Sequence, residues 1–404
     1  MTNTDRSNCS RERGCELFQA GFKGLFPSCI RMDAPLLKNY IAGALTSPLQ
    51  GNGASERRAL CPATRGNSMP ILVTGVAGFI GSHVARRLLA RGETVVGIDN
   101  LNDYNPVQLK LDRLKAIVED GGAASFTFYQ LDFADHEVLD AALAHTDIDK
   151  IVHLGAQAGV RYSITNPRAY VASNLAGHVN ILELGRARSV KHIVYASSSS
   201  VYGTSPDLPF RVEQRVDFPI SLYAATKKSD ELISETYAHL YRLPQTGLRF
   251  FTVYGPWGRT DMAVWRFTDK ILSGVPIEVY NGGNMRRDFT FIEDIVTGIV
   301  SALDNPPPDD EAEKAGGSVS PHRIYNIGNN KAEQLDTLIS LIEESCGRKA
   351  IRIEKPMQPG DVPATYADLT SIREDLGFEP TTPISIGIPI FVEWYKAYRS
   401  QNGR

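Results

Sequence analysis

The stretch "YASSSSVYG", residues 195 to 203, sets four hydroxyls in a row where an apolar strand pattern runs out. Such a cluster is either a polar turn or part of a reaction centre, since a serine hydroxyl both donates and accepts hydrogen bonds. Further on, "YAATK" places Tyr223 and Lys227 four residues apart inside a helical pattern, so both project from one face. A phenol is a weak base at neutral pH, and a neighbouring ammonium favours the phenolate. The pair is a candidate general acid/base, and it lies 25 residues after Ser198, which ends the preceding strand pattern. By itself the YxxxK spacing also fits an ordinary amphipathic helix; its position after the serine run is what raises it.

A second group of residues points to a phosphate-bearing cofactor. "TGVAGFIGSH" sets Gly75, Gly78 and Gly81 between a strand and its helix, with Phe79 and Ile80 inside the motif. Glycines there let the backbone turn tightly and approach a pyrophosphate at a helix N-terminus. The spacing is GxxGxxG rather than GxGxxG, so context must support it. The next strand, "VVGIDN", ends in Asp99, an acid that can accept hydrogen bonds from an adenosine ribose and would repel a 2′-phosphate. NAD rather than NADP is therefore expected. Asp132, in "QLDF", either reaches the adenine amino group or caps the end of the third strand.

These groups need a scaffold, and the sequence provides its rhythm. From residue 70, short β-branched runs ("ILVT", "TVVGID", "SFTFYQLD", "KIVHLGA", "HIVYASSS", "TGLRFFTVYG") alternate with longer helical patterns. That alternation implies an α/β fold with a doubly wound parallel sheet of Rossmann type. Residues 69–255 are expected to form the NAD-binding domain. Beyond about residue 255 the rhythm loosens, predicting a smaller C-terminal lobe over 256–404, interleaved with late sheet elements. It would cover the carboxyl ends of the strands, where ligands bind in such sheets. Residues 1–68 show no sustained apolar period, and Met69 directly precedes "PILVTG", so these residues are expected to be an extension outside the fold.

Composition narrows the partners. A formal charge of -3, with 43 Lys/Arg against 46 Asp/Glu, gives no electrostatic case for nucleic acid or an anionic membrane surface. No apolar run has the length of a membrane span and the start lacks the order of a signal peptide, so a cytoplasmic protein is expected. Of the five cysteines, Cys9, Cys15, Cys29 and Cys61 precede residue 69, which leaves the body with Cys346 and no disulfide framework. The histidines show no ligand spacing, and no metal is expected.

Taken together, the glycine turn, Asp99, Ser198, Tyr223 and Lys227 resemble the extended short-chain dehydrogenase/reductases, and the resemblance covers essentially residues 70 to 398. Within that group, "HLGAQAGVRYSITNP", "SSSSVYG", "LYAATKKSDE", "LRFFTVYGPWGRTDMA" and "RRDFTFIEDI" look closely like the UDP-glucuronate 4-epimerases. The resemblance implies a C-terminal lobe that binds a UDP-sugar, a homodimer formed through the helices near 166–188 and 221–241, and a place in polysaccharide biosynthesis. It implies that Arg287 pairs with the diphosphate, and that Arg259 and Asp361 stand near the phosphates and uridine ribose. Surface ion pairs are the alternative for these last two. Thr252 is carried over as a further sugar contact. Related decarboxylases and dehydratases carry an acid just before "VYG"; this chain has Ser199 and Ser200, candidates to hold a C5 carboxylate without repelling it. The competing readings are a UDP-glucuronate decarboxylase, an epimerase of neutral UDP-hexoses, and a non-catalytic NAD or nucleotide-sugar sensor.

Overall fold

The computed structural model describes residues 29–44, 69–357 and 362–401. Its main body is an eight-stranded sheet of β1 (Ile30–Asp33), β2 (Ile71–Thr74), β3 (Val95–Asp99), β4 (Phe126–Gln130), β5 (Lys150–His153), β6 (His192–Ser198), β7 (Gln245–Phe250) and a late strand, His322–Ile327, which becomes β11 once the lobe's strands are counted. The spatial order is β1-β4-β3-β2-β5-β6-β7-β11. β1 alone runs antiparallel, along β4; the remaining pairings are parallel. Strand order reverses between β2 and β5, which opens a crevice at their carboxyl ends, the place where a doubly wound sheet takes its ligand.

The central strands are buried on both faces, as the burial of every residue in β2, β3 and β7 shows. Two apolar clusters sandwich the sheet. One gathers Val73, Val84, Leu88 and Val194 with lobe residues such as Ile292 and Phe391; the other gathers Leu72, Ile98, Leu139, Ile151 and Leu182. Past β7 the chain enters the lobe through β8 (Thr252–Tyr254), β9 (Ile277–Tyr280) and β10 (Arg286–Phe291), then returns to the main sheet at β11. β12 (Ala332–Gln334) joins β10 and β8, and β13 (Arg352–Lys355) joins β9.

The expectation that nothing before Met69 joins the fold is corrected for residues 30–44. β1 pairs in register with β4, from Ile30 opposite Gln130 to Asp33 opposite Thr127. The following helix, α1 (Ala34–Ala44), is started by the Asp33 carboxylate, which accepts from Leu36 N at 3.0 Å. Ala34, Leu37 and Ile41 lie on one helical face and are at most 3% exposed. Their spacing is helical but spans only about two turns, too short to register as a sustained period.

Candidate active site

The turn between β2 and helix α2 (Phe79–Ala90) has no room for a side chain at its glycines. Gly75 has φ 68°, and a Cβ there would lie 2.8 Å from the backbone of Gly155. At Gly81 a Cβ would lie 2.2 Å from the Gly75 carbonyl oxygen. The turn is thus a bare backbone cradle at a helix N-terminus, which fits the pyrophosphate of a dinucleotide. Asp99 supports it from the end of β3: its carboxylate accepts from Ala77 N at 3.2 Å and Leu101 N at 2.8 Å, with the Lys110 ammonium 3.4 Å away. These residues fit NAD.

Sequence reasoning passed over Arg113, which fastens this cradle to the lobe. Its guanidinium is fully buried and donates to the carbonyls of Ala77 (3.1 Å), Trp257 (2.7 Å) and Gly258 (3.0 Å). Burial pushes its pKa down to about 10. No local spacing betrays this residue, because its partners lie 36 and 144 positions away.

The four serines separate by role. Ser197 turns into the core and donates to Glu231 Oε1 at 2.7 Å, where Glu231 is also gripped by Arg249 at 2.8 Å. Ser198 ends β6 and its Oγ accepts from Ser200 N at 3.1 Å, capping a short 3-10 turn, Ser199–Tyr202. Ser198, Ser199 and Ser200 then line the crevice.

Tyr223 and Lys227 enter from the 20-residue helix Leu222–Tyr241, which Ser221 caps by accepting from Ala224 N. Lys227 is buried; its Nζ donates to Ala196 O at 2.9 Å and to Asp230 Oδ2 at 3.0 Å. Tyr170 meets the Tyr223 ring edge-on with centroids 6.0 Å apart. Next to it the chain forms a π-helical segment, Val171–Ala176, where Asn174 holds Gln157 N at 2.8 Å and Thr226 Oγ1 at 3.0 Å. That irregular turn pins the loop after β5 to the helix carrying Tyr223, a role with no sequence signature.

One cavity of about 1050 Å³ brings together Gly75, Gly78, Phe79, Ile80, Gly81, Asp99, Ser198, Ser199, Ser200, Tyr223, Lys227, Thr252, Arg259 and Arg287. Arg259 stands there as half of an ion pair, donating to both oxygens of Asp261 at 3.0 and 2.6 Å, and Tyr104 donates to the same carboxylate at 3.2 Å. Arg287 Nη1 donates to the carbonyls of Arg286 at 2.9 Å and Pro363 at 3.3 Å, which hold its guanidinium at the cavity wall. Asp132 is exposed just past β4, where its carboxylate accepts from Ala134 N at 2.9 Å and from Asn100 Nδ2 at 3.1 Å, and Asn100 itself lines the cavity. Asp361 lies outside the described residues. Among the described residues no group of three His, Cys, Asp or Glu could hold a metal ion, and no helix is long and apolar enough to cross a membrane.

The family model described as GDP-mannose 4,6 dehydratase matches residues 72–390. The chain is 48% identical to "Protein CapI" of Staphylococcus aureus, over 82% of this chain and 99% of that protein. It is 44% identical to "UDP-glucuronate 4-epimerase 1" of Arabidopsis thaliana, over 84% of this chain and 79% of that protein. Its structure resembles UDP-glucuronic acid 4-epimerase from Bacillus cereus, solved with UDP-glucuronic acid and NAD, with a TM-score of 0.73 and 31% identity over 82% of this chain and all of that one. Matched along most of its length by that family model, and by relatives at this level of identity, the chain belongs to the extended short-chain dehydrogenase/reductases, in their epimerase and dehydratase branch.

Proposed function

We propose that this protein interconverts UDP-glucuronate and UDP-galacturonate by oxidising and re-reducing C4 of the sugar. The observation that carries the reading is the convergence of the glycine cradle, Ser198, Tyr223, Lys227 and the lobe residues Thr252 and Arg287 on one cavity. The glycine cradle and Asp99 would hold NAD, which would supply a two-electron oxidant regenerated within the same turnover. Ser198 donates a hydrogen bond to the C4 oxygen and orients it. Tyr223 takes the hydroxyl proton as the ketone forms, and Lys227 favours the phenolate that receives it. When the ketone has turned its other face, Tyr223 gives the proton back. Arg287 suits the diphosphate through its planar fork, and Arg259 must share its charge between phosphate and Asp261.

A 4-keto uronate is a β-keto acid, which loses CO2 when the carboxylate bond stands perpendicular to the carbonyl plane. Ser199 and Ser200 would hold the C5 carboxylate out of that geometry, and no acid stands beside them in the run before "VYG". This weighs against a decarboxylase, and the buried, partnered Lys227 beside Tyr223 weighs against a sensor. The test is NMR of the products from UDP-glucuronate, with released CO2 measured alongside. UDP-galacturonate as main product supports the reading; UDP-pentose with stoichiometric CO2 overturns it.

The same reading includes a homodimer and a cytoplasmic location. Leu232 and Leu240, eight residues apart on the Tyr223 helix, are 57% and 61% exposed, and Val171 on the adjacent segment is 49% exposed. This apolar face fits a second copy, which sedimentation would detect. Free Cys29 and Cys346 suit a reducing compartment.

A further inference from the structure

Lys227 favours the Tyr223 phenolate in the proposed reaction, yet it does not stand alone. Asp230, one helical turn on, accepts from its Nζ at 3.0 Å, and both side chains are almost completely enclosed, at 4% and 1% exposure. Two of the ammonium's three N–H groups are therefore spent on Ala196 O and Asp230 Oδ2. The other Asp230 oxygen, Oδ1, is buried and has no hydrogen-bond partner. Burying a carboxylate with one oxygen unpartnered is costly, and the charge of the Lys227 ammonium 3.0 Å away offsets that cost.

The neighbouring charges are fixed and leave this pair as the adjustable one. His153 on β5 and His178 on the helix Gly177–Ala187 face Lys227, and burial holds both neutral. Tyr195 on β6 is held protonated by its burial. Glu231 spends its charge on Arg249 and Lys228. On the far side of Tyr223 stand the Tyr170 phenol and Arg259, the latter already paired with Asp261.

We propose that Asp230 is a positioning residue that attenuates the Lys227 charge felt by Tyr223, so that Tyr223 can serve as base and as acid within one turnover. An unopposed ammonium would stabilise the phenolate and speed proton removal, but it would leave a poor acid for returning the proton to the ketone. Proton transfer in both directions is best served by an intermediate acidity. A carboxylate beside the ammonium turns a point charge into a short dipole, whose field at the phenol is weaker. Burial pushes the Asp230 carboxyl up to about 6, so the attenuation operates above that pH and fades below it.

The inference rests on the proton-carrier role proposed for Tyr223 and not on which sugar is turned over. It is tested on the NAD-bound protein without sugar, by following phenolate absorbance against pH in the wild type and Asp230→Asn, each compared with its Tyr223→Phe counterpart to isolate the Tyr223 signal. The Asn variant should ionise Tyr223 about one pH unit lower, and the acid limb of its kcat profile with UDP-glucuronate should move the same way. Asp230→Ser, which keeps a hydrogen-bond acceptor without charge, is read identically if the Asn variant fails to fold. A Tyr223 midpoint that is unchanged or raised would overturn the inference, even if epimerisation of UDP-glucuronate is established. A product other than UDP-galacturonate would instead overturn the substrate reading and leave this one standing.

Discussion

Tyr223→Phe deletes a proton carrier and almost no contact area. Turnover should therefore fall by roughly 10² or more, while UDP-sugar affinity measured by calorimetry stays close to that of the wild type. A rate within tenfold of normal would remove Tyr223 from the role. Ser200→Glu tests the fate of the ketone: it exchanges a small hydroxyl on the cavity wall for an anion that repels the sugar's own carboxylate. The ratio of CO2 to galacturonate product should rise, and an unchanged ratio in a folded, active variant would free Ser200 from the carboxylate. At this scale the sequence was readable wherever residues close along the chain stay close in space: the three glycines of one turn, and Tyr223 with Lys227 on one helix, all line one cavity. It was unreadable where the partner is remote. That Ser197 turns inward depends on Glu231 and Arg249, on two other elements.

Among elements, β1 and α1 are the addition that the alternating pattern beyond residue 70 did not foretell. The apolar spacing of Ala34, Leu37 and Ile41 was there to be read, but β1 acquires its meaning only from pairing with β4, almost a hundred residues later. This pairing covers the edge of β4, and Leu37 is completely buried beneath α1. A chain starting at Met69 should thus expose that edge, melt roughly 2–5 °C lower and aggregate more readily. Its kcat should stay within about twofold of the full chain's, because every described residue lining the cavity lies at or beyond Gly75. Leu37→Asp, in the full-length chain, should lower the melting temperature in the same way. Equal melting of all three proteins would return residues 30–44 to the status of a dispensable arm.

For the molecule as a whole, the doubly wound sheet was legible because strand and helix periods differ, whereas the buried polar groups that set its pH response were not, since their protonation is decided by packing. Four buried histidines carry much of that response. Desolvation lowers His83 from 6.5 to about 4, His153 and His192 from 6.5 to about 3, and His178 well below its ordinary value. A histidine whose folded pKa is depressed binds fewer protons in the folded chain than in the unfolded one. Its contribution to stability is therefore complete above pH 6.5 and is lost as the pH falls toward the folded value. Two buried acids act in the opposite sense: burial raises Asp230 and Asp288 from 3.8 to about 6, so the folded chain binds their protons more tightly and they offset part of the loss between those limits. The histidines outnumber them, and unfolding free energy should decline as the pH drops from about 6.5 to 4. His192 gives the cleanest test. It is fully buried in β6 and bonded to Thr246 Oγ1 at 2.9 Å and Leu303 O at 3.3 Å, and it does not line the active-site cavity. His192→Gln keeps polar atoms for these partners and removes the titration. Urea unfolding of both proteins between about pH 4.5 and 6 should give a slope of stability against pH shallower by about 1.4 kcal/mol per pH unit in the variant. Parallel lines, whatever their vertical offset, would show that His192 takes up no proton on unfolding and that the acid lability of the fold has another source.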